Sequence, residues 1–425
     1  MNKYELVQYE KKSISKSVLF YLFINMFVYI IFPSGKLFDI NIKMLFLISL
    51  FAFVFLGIIK KGAEYPKKLI NRIIMIFFFL STYSLFAVIN GVAVYSIFSA
   101  ASAWLATFIP LILFIYLTDS IVGLKEKIVN YLILILVIYS LSKIILFLLQ
   151  VSNIFDVEVL FLKMYDLFKY SPITYNYGWF FRINTPVDFL IVPSLLLMIF
   201  FSNKIGIHFR VKYLIITILT SSLIISFSRF IYFYFVCSIL IFYLFSAKFS
   251  LRKYNVWIKI ILIFGIIIIF MIKYQSIVNI IYERYFGDYA QASDSVRYNL
   301  FPILLSSFEK NFLFGNGLGA FIEGYTYFED NPWNYVLLWL SFLNQFGIIG
   351  FIFVLYFFFI PIKFIPIKKG NTILKLPRYF IPTLISYLIF LSSGFFNTFL
   401  LTSSISFLYL LYSFMFSYMT LGNRS

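Results

Sequence analysis

Acids, thiols and imidazoles are all scarce in this chain. Of its 425 residues only 17 are Asp or Glu, one is cysteine and one is histidine. A lone thiol, Cys237, forms no intramolecular disulfide, so the redox compartment cannot be read from it. The lone histidine, His208, falls in a short basic loop. Histidine-based catalysis and histidine metal ligation are thereby removed from every other part of the chain. There is no Walker loop and no dinucleotide fingerprint. Gly315-Asn316-Gly317-Leu318-Gly319 lacks both the strand context and the spacing. Glu329-Asp330 is not a separated acidic pair, so metal–nucleotide binding has no support. No metal and no cofactor is expected.

What the chain has in excess is apolar surface. It is 62% hydrophobic and 12% charged, against about 45–50% apolar residues in soluble domains. Apolar runs of about 17–25 residues recur from end to end, each long enough to span a bilayer. The runs are continuous and not alternating, which excludes a β-barrel. The expected fold is an all-α integral membrane protein, one polytopic domain over 1–425. Hydropathy places about 12 transmembrane helices at roughly 17–33, 40–59, 69–90, 93–118, 128–150, 187–202, 213–228, 230–247, 256–274, 334–362, 379–396 and 399–419. The polar stretch 1–16 carries Lys3, Lys11, Lys12 and Lys16. The run after it has no small-residue cleavage site, so it reads as a retained first span. Abundant Phe, Ile, Lys, Asn and Tyr suggest an AT-rich bacterial genome.

The net charge is +18. With the N-terminus in the cytoplasm, Lys60, Lys61, Lys67, Lys68 and Arg72 fall inside. So do Lys204, Arg210 and Lys212, then Lys248, Arg252 and Lys253, then Lys363, Lys368, Lys369, Lys375 and Arg378. Both termini are then cytoplasmic. The excess charge faces anionic lipid headgroups, so membrane lipids and no nucleic acid are the expected partners.

Two outer loops are long, 151–186 and 275–332. Connections beyond about 12–15 residues usually carry function or are disordered, and these two are too aromatic for disorder. Both hold amphipathic stretches. Leu160, Met164, Leu167 and Phe168 share one face, with Lys163, Asp166 and Lys169 elsewhere. In the second loop Phe301, Leu304, Leu305, Phe308 and Phe312 share a face opposite Ser306, Glu309 and Lys310. Each could lie on the outer leaflet or pack on the bundle. Asp294 fits an N-cap for the second, Pro302 would kink it, and Gly315-Asn316-Gly317 would end it.

Three arginines fall on the outer side, where positive charge is normally sparse. Arg229 closes Ser226-Phe227-Ser228-Arg229 between two spans with almost no loop. Two roles are open to it: a snorkelling anchor, or a bidentate phosphate clamp suited to arginine's planar fork. Arg182 lies in Trp179-Phe180-Phe181-Arg182-Ile183-Asn184-Thr185-Pro186, and Arg297 in Ser293-Asp294-Ser295-Val296-Arg297. Alone, each reads as a solvated loop charge. Together, several guanidiniums in low dielectric could bind a diphosphate without metal. A general base is wanted if a sugar hydroxyl is deprotonated. Glu323, Glu329 and Asp330 are the best-placed candidates, each also readable as a plain loop acid. Asp188 begins a span and could simply favour that helix end. Lys143, inside a span, is a buried cation with a partner or a snorkeller.

These motifs, in order, resemble a known family. Ser226-Phe227-Ser228-Arg229 opens a span. Then come Ser293-Asp294-Ser295-Val296-Arg297, Phe314-Gly315-Asn316-Gly317-Leu318-Gly319, Asn331-Pro332-Trp333-Asn334-Tyr335 and Gln345-Phe346-Gly347-Ile348-Ile349-Gly350. Over roughly 175–365 this order is similar to the O-antigen ligase/polymerase superfamily of cell-surface glycan synthesis. The resemblance implies a metal-independent, GT-C-like helical glycosyltransferase acting outside the inner membrane on undecaprenyl-diphosphate-linked oligosaccharide. It implies diphosphate binding by Arg182, Arg229 and Arg297. The ligase branch has a histidine before the span that follows the second loop; Asn331-Pro332-Trp333-Asn334 has none, which favours the Wzy-type repeat-unit polymerase. The arginine–glycine repeats of some polymerases are not evident, so no base is carried over from them. A chain-length regulator protein is a possible partner of such an enzyme. The alternatives are an O-antigen ligase acting on lipid A-core and a lipid-linked oligosaccharide flippase or transporter.

Overall fold

The computed structural model describes residues 15–32, 36–37, 40–60, 66–121, 123–152, 159, 163, 173–176, 181–202, 205–245, 282, 287–326, 331–364 and 379–418. Most are helical. The helices are α1 (Lys16–Ile31), α2 (Ile42–Lys60), α3 (Lys67–Ile89), α4 (Val94–Ser120), α5 (Leu124–Val151) and α6 (Asp188–Phe200). They continue with α7 (Phe209–Ile225), α8 (Arg229–Phe245), α9 (Asp288–Lys310), α10 (Leu338–Phe358), α11 (Phe380–Leu391) and α12 (Ile405–Tyr418). Helices lie on every predicted apolar run but 256–274, which falls outside the described residues. Two small antiparallel ribbons interrupt the all-helical plan: β1 (Lys36–Leu37) with β2 (Ile40–Asn41), and β3 (Ile173–Asn176) with β4 (Phe181–Ile183). Nearly all of the 160–169 amphipathic stretch lies outside the described residues.

Among the described residues, α3, α4, α5 and α10 are long and apolar enough to cross a membrane. The 23 residues of α3 reach about 35 Å at 1.5 Å per residue. Six further helices are apolar but shorter. One hydrophobic core joins α1–α8 to α10–α12. At its centre are α6 and α12, buried at every residue from Asp188 to Met198 and from Ile405 to Phe416. A helix apolar on all sides belongs in such a position. The peripheral helices turn large apolar side chains outward, among them Leu45, Leu56, Phe78, Leu85 and Leu244. That surface suits hydrocarbon, and the build is compatible with a membrane protein.

Contacts segregate by end. Lys43 at the start of α2 donates to Ser403 just before α12, and Ser96 at the start of α4 donates to Gly319 O at 2.6 Å. At the other end Lys125 of α5 donates to Ser417 of α12 at 2.8 Å, and Phe201 packs on Tyr379 at 5.3 Å. The up-and-down alternation expected from the loops predicts this pairing of ends.

The second long loop differs from expectation. α9 starts at Asp288 with Gly287 as its N-cap, so Asp294 lies within the helix and caps nothing. The helix runs through Pro302 and stops at Lys310, before the glycine turn. Its buried stripe is Leu300, Leu304 and Phe308, whereas Phe301 and Phe312 are exposed. Leu300 and Leu304 pack with Tyr335, Val336 and Leu337 in a small core of their own. An i, i+4 stripe starting at 300 was the better face, because α9 begins two turns earlier than the sequence signals place it.

The glycine-rich motifs interlock. α10 breaks at Gly347 (φ 61°, ψ −172°). The freed carbonyls of Asn344 and Gln345 accept from Asn316 N (2.9 Å) and Gly317 N (2.8 Å). The freed Ile348 N and Ile349 N donate to Phe312 O (3.0 Å) and Leu313 O (3.1 Å). The 311–319 turn thus supplies the partners that a helix break removes. Gln345 Oε1 also accepts from Gly319 N at 2.9 Å. A methyl on Gly347 would overlap the Leu313 backbone, and one on Gly315 the Gln345 backbone. Gly347→Ala is expected to cost about 2–4 kcal/mol, since it adds both left-handed strain and overlap. Gly57, with open space around it, should gain up to about 1 kcal/mol from Ala by helix propensity. Denaturant unfolding of the two variants in detergent checks the contrast.

Candidate functional site

The turn between α7 and α8 is short and strained. Phe227 has φ 47°, the one non-glycine residue with positive φ among those described. A bulky residue in the left-handed region costs of order 1 kcal/mol and persists only where its surroundings hold it. Here Phe227 is buried and its N–H donates to Ile224 O at 3.3 Å. Ser226 N donates to Leu223 O at 3.2 Å, and Ser226 Oγ to the same carbonyl at 2.7 Å. The distortion leaves Ser226 O unused by the helix, and Arg182 takes it.

Arg182, on β4, is 5% exposed. Its Nε donates to Ser226 O at 3.0 Å. With the Asn184 carboxamide turned to satisfy both its groups, its oxygen accepts from Arg182 Nη2 at 2.9 Å. Its nitrogen then donates to Asp188 Oδ2 at 3.2 Å. Asp188 Oδ1 accepts from Lys143 Nζ at 2.7 Å, and both side chains are almost fully buried. Thr185 N donates to Asp188 Oδ2 at 2.9 Å and Tyr139 OH to Oδ1 at 3.2 Å. A continuous polar chain therefore runs from α5 through the start of α6 and β4 to the strained turn. The sequence leaves Lys143 with two roles; it has a buried partner. Asp188 does more than sit at a helix end, since it holds Lys143.

Arg229 and Arg297 meet on one carboxylate. Arg229 Nη2 donates to Asp294 Oδ1 at 3.3 Å and Arg297 Nη1 to the same oxygen at 2.7 Å. Arg297 Nη2 donates to Phe396 O at 3.0 Å, in the turn after α11. The side chains are 29% (Arg229), 21% (Arg297) and 43% (Asp294) exposed, so a solute can reach all three. Next to them Phe189 meets Phe399 edge to face at 5.6 Å, and Phe230 lies tilted against Phe189 at 6.0 Å and Phe396 at 6.1 Å. Phe233, Phe395 and Phe396 present exposed rings beside the arginines.

No protein-family model, curated protein or solved structure matches this chain. The site is read from its own geometry.

Arg182 and Arg229 flank one turn, and Arg229 and Arg297 share one acceptor. Of the acids named for base catalysis, Glu323 alone lies among the described residues, and it makes no contact with these arginines there. It is exposed in the 322–325 turn, and its side chain makes no hydrogen bond or ion pair among the described residues. Glu329 and Asp330 lie outside the described residues. The acid at the arginines is Asp294, which the sequence pattern marks as a helix cap. Its spacing of three from Arg297 along a helix was the available signal. The link from Asp188 to Lys143 joins residues 45 apart and had no local signal.

Charge at the site is positive. Lys143 neutralises Asp188. Three guanidiniums less the Asp294 carboxylate leave an excess of two. Arg182 has its Nε and Nη2 engaged and is buried, so it shapes the turn. Arg229 and Arg297 are reachable, and their forks can take up an anion.

Proposed function

We propose that the chain is a repeat-unit polymerase of cell-surface polysaccharide, a metal-independent glycosyltransferase with about 12 membrane crossings. In this reading the termini are cytoplasmic and the arginines face outward. The glycan moves from its undecaprenyl-diphosphate carrier onto the terminal sugar of a lipid-linked acceptor. Arg229 and Arg297 hold the departing diphosphate, and Arg182 holds the turn that presents Arg229. The observation that carries the reading is the sharing of Asp294 by two reachable arginines. A diphosphate bears about two to three negative charges, which the two reachable guanidiniums complement. Asp294 then occupies the forks until phosphate replaces it. The exposed Phe233, Phe395 and Phe396 adjoin the clamp, as a carrier with an apolar tail requires.

The chemistry needs no metal ligand. Glycosyl transfer makes one C–O bond at the anomeric carbon and breaks another; the leaving diphosphate takes the electron pair and carries off the acceptor hydroxyl's proton. Guanidiniums aimed at that oxygen stabilise the developing charge without reorganising. The experiment is analysis of lipid-linked glycans in a deletion strain. Single repeats on the carrier and no polymer are expected. Polymer left on the carrier would point to a ligase instead, and carrier-linked units trapped on the cytoplasmic face to a flippase.

A further inference from the structure

At the end of the bundle away from the arginines, α3 and α10 border an open groove of about 520 Å³. Its lining changes character along α3. Lys68, Asn71 and Arg72 form the mouth, Ile74, Met75 and Phe78 form the wall beyond, and Tyr356 of α10 closes the far side. From Lys68 to Phe78 is about 15 Å of helix rise. Phe78 and Ile74 stand on the outward face of the bundle, where hydrocarbon is expected. A cationic mouth opening directly onto an outward apolar wall is the layout of a phospholipid, headgroup first and chain second.

Among the described residues the surrounding charges keep the mouth positive. Asp119 at the end of α4 is within electrostatic reach of Lys68, Arg72 and Lys125. Glu126 lies near Lys125 and offsets it. Asp119 is then outnumbered by Lys68 and Arg72.

We propose that this groove binds one anionic phospholipid. The phosphodiester rests on Lys68 and Arg72, and an acyl chain lies along Ile74, Met75 and Phe78. Basic pockets between helices at a membrane surface hold such headgroups, each cation adding attraction equivalent to about fivefold in affinity. Inorganic phosphate would use the mouth and leave the apolar wall uncovered. The site is independent of the polymerase reading, because none of its residues touches the arginine cluster.

The test uses the full chain in detergent micelles with phosphatidylglycerol and phosphatidylcholine in equal amounts. Retained lipid is counted by native mass spectrometry. Phosphatidylglycerol is expected in several-fold excess. The K68Q/R72Q variant should lose about fivefold of that preference per charge removed. A control of equal charge, K16Q/R210Q, alters exposed residues at the same end outside the groove and should leave the preference intact. Asn71→Glu, at an exposed position, should lower it without disturbing the fold. An unchanged preference in K68Q/R72Q and Asn71→Glu would overturn the proposal. So would an equal fall in the control, which means general surface attraction, or displacement of the lipid by inorganic phosphate, which means a phosphate site.

Discussion

Replacing Arg229 or Arg297 by Ala is expected to abolish long chains while single lipid-linked repeats persist. Loss of one donor aimed at developing charge lowers a rate by about 10²–10³. With two arginines on one leaving group, either loss should suffice. Lysine at these positions restores charge and not the planar fork, so it should recover only part of the rate. Asp294→Asn is the informative contrast. It removes the carboxylate that competes with phosphate for both forks, and it should keep long chains. Ladder analysis of surface polysaccharide in complemented strains measures all three. Normal chain length in both Ala variants would remove the arginines from the chemistry and the polymerase reading with them.

The second large effect concerns stability. Asp188→Leu or Lys143→Met is expected to cost about 3–5 kcal/mol, because each strands one buried charge. The double variant should be less destabilised than either single, since it strands none. Equal or additive losses would mean that the pair is not the coupled unit its 2.7 Å contact indicates. Asp188 also holds Asn184, and Asn184 meets Arg182. The singles should therefore lose activity beyond their loss of folded protein, through a turn no longer braced. Denaturant unfolding in detergent, with activity normalised to folded protein, separates the two effects.

The helices were legible in the sequence because lipid and core impose one demand, a run of apolar residues of the right length. The arginines were legible because cations are scarce on the expected outer side. Their arrangement was not. Asp294 has the residue type and place of a helix cap, and only the earlier start of α9 makes it an interior acid with two arginines in reach. The glycine motifs carry the sequence signature of a helix stop. Their purpose is backbone docking between 311–319 and the break in α10, which depends on a partner 26 or more residues away. Strain at Phe227 has no sequence signature, since Phe is a poor residue for positive φ and nothing adjacent announces it.

The break at Gly347 also bears on how the protein is made. Without the docked 311–319 turn, a break at Gly347 would leave two carbonyls and two N–H groups of α10 without partners. Each such group costs several kcal/mol away from water. A nascent α10 inserted alone escapes that cost by closing its own i→i+4 bonds as an unbroken helix, so the break and the docking of the turn form together. The turn precedes α10 in the chain, so it is already synthesised when the helix emerges. Turn and helix thus reach their final form together: the segment that follows the Arg297 helix settles where the span bends to receive it.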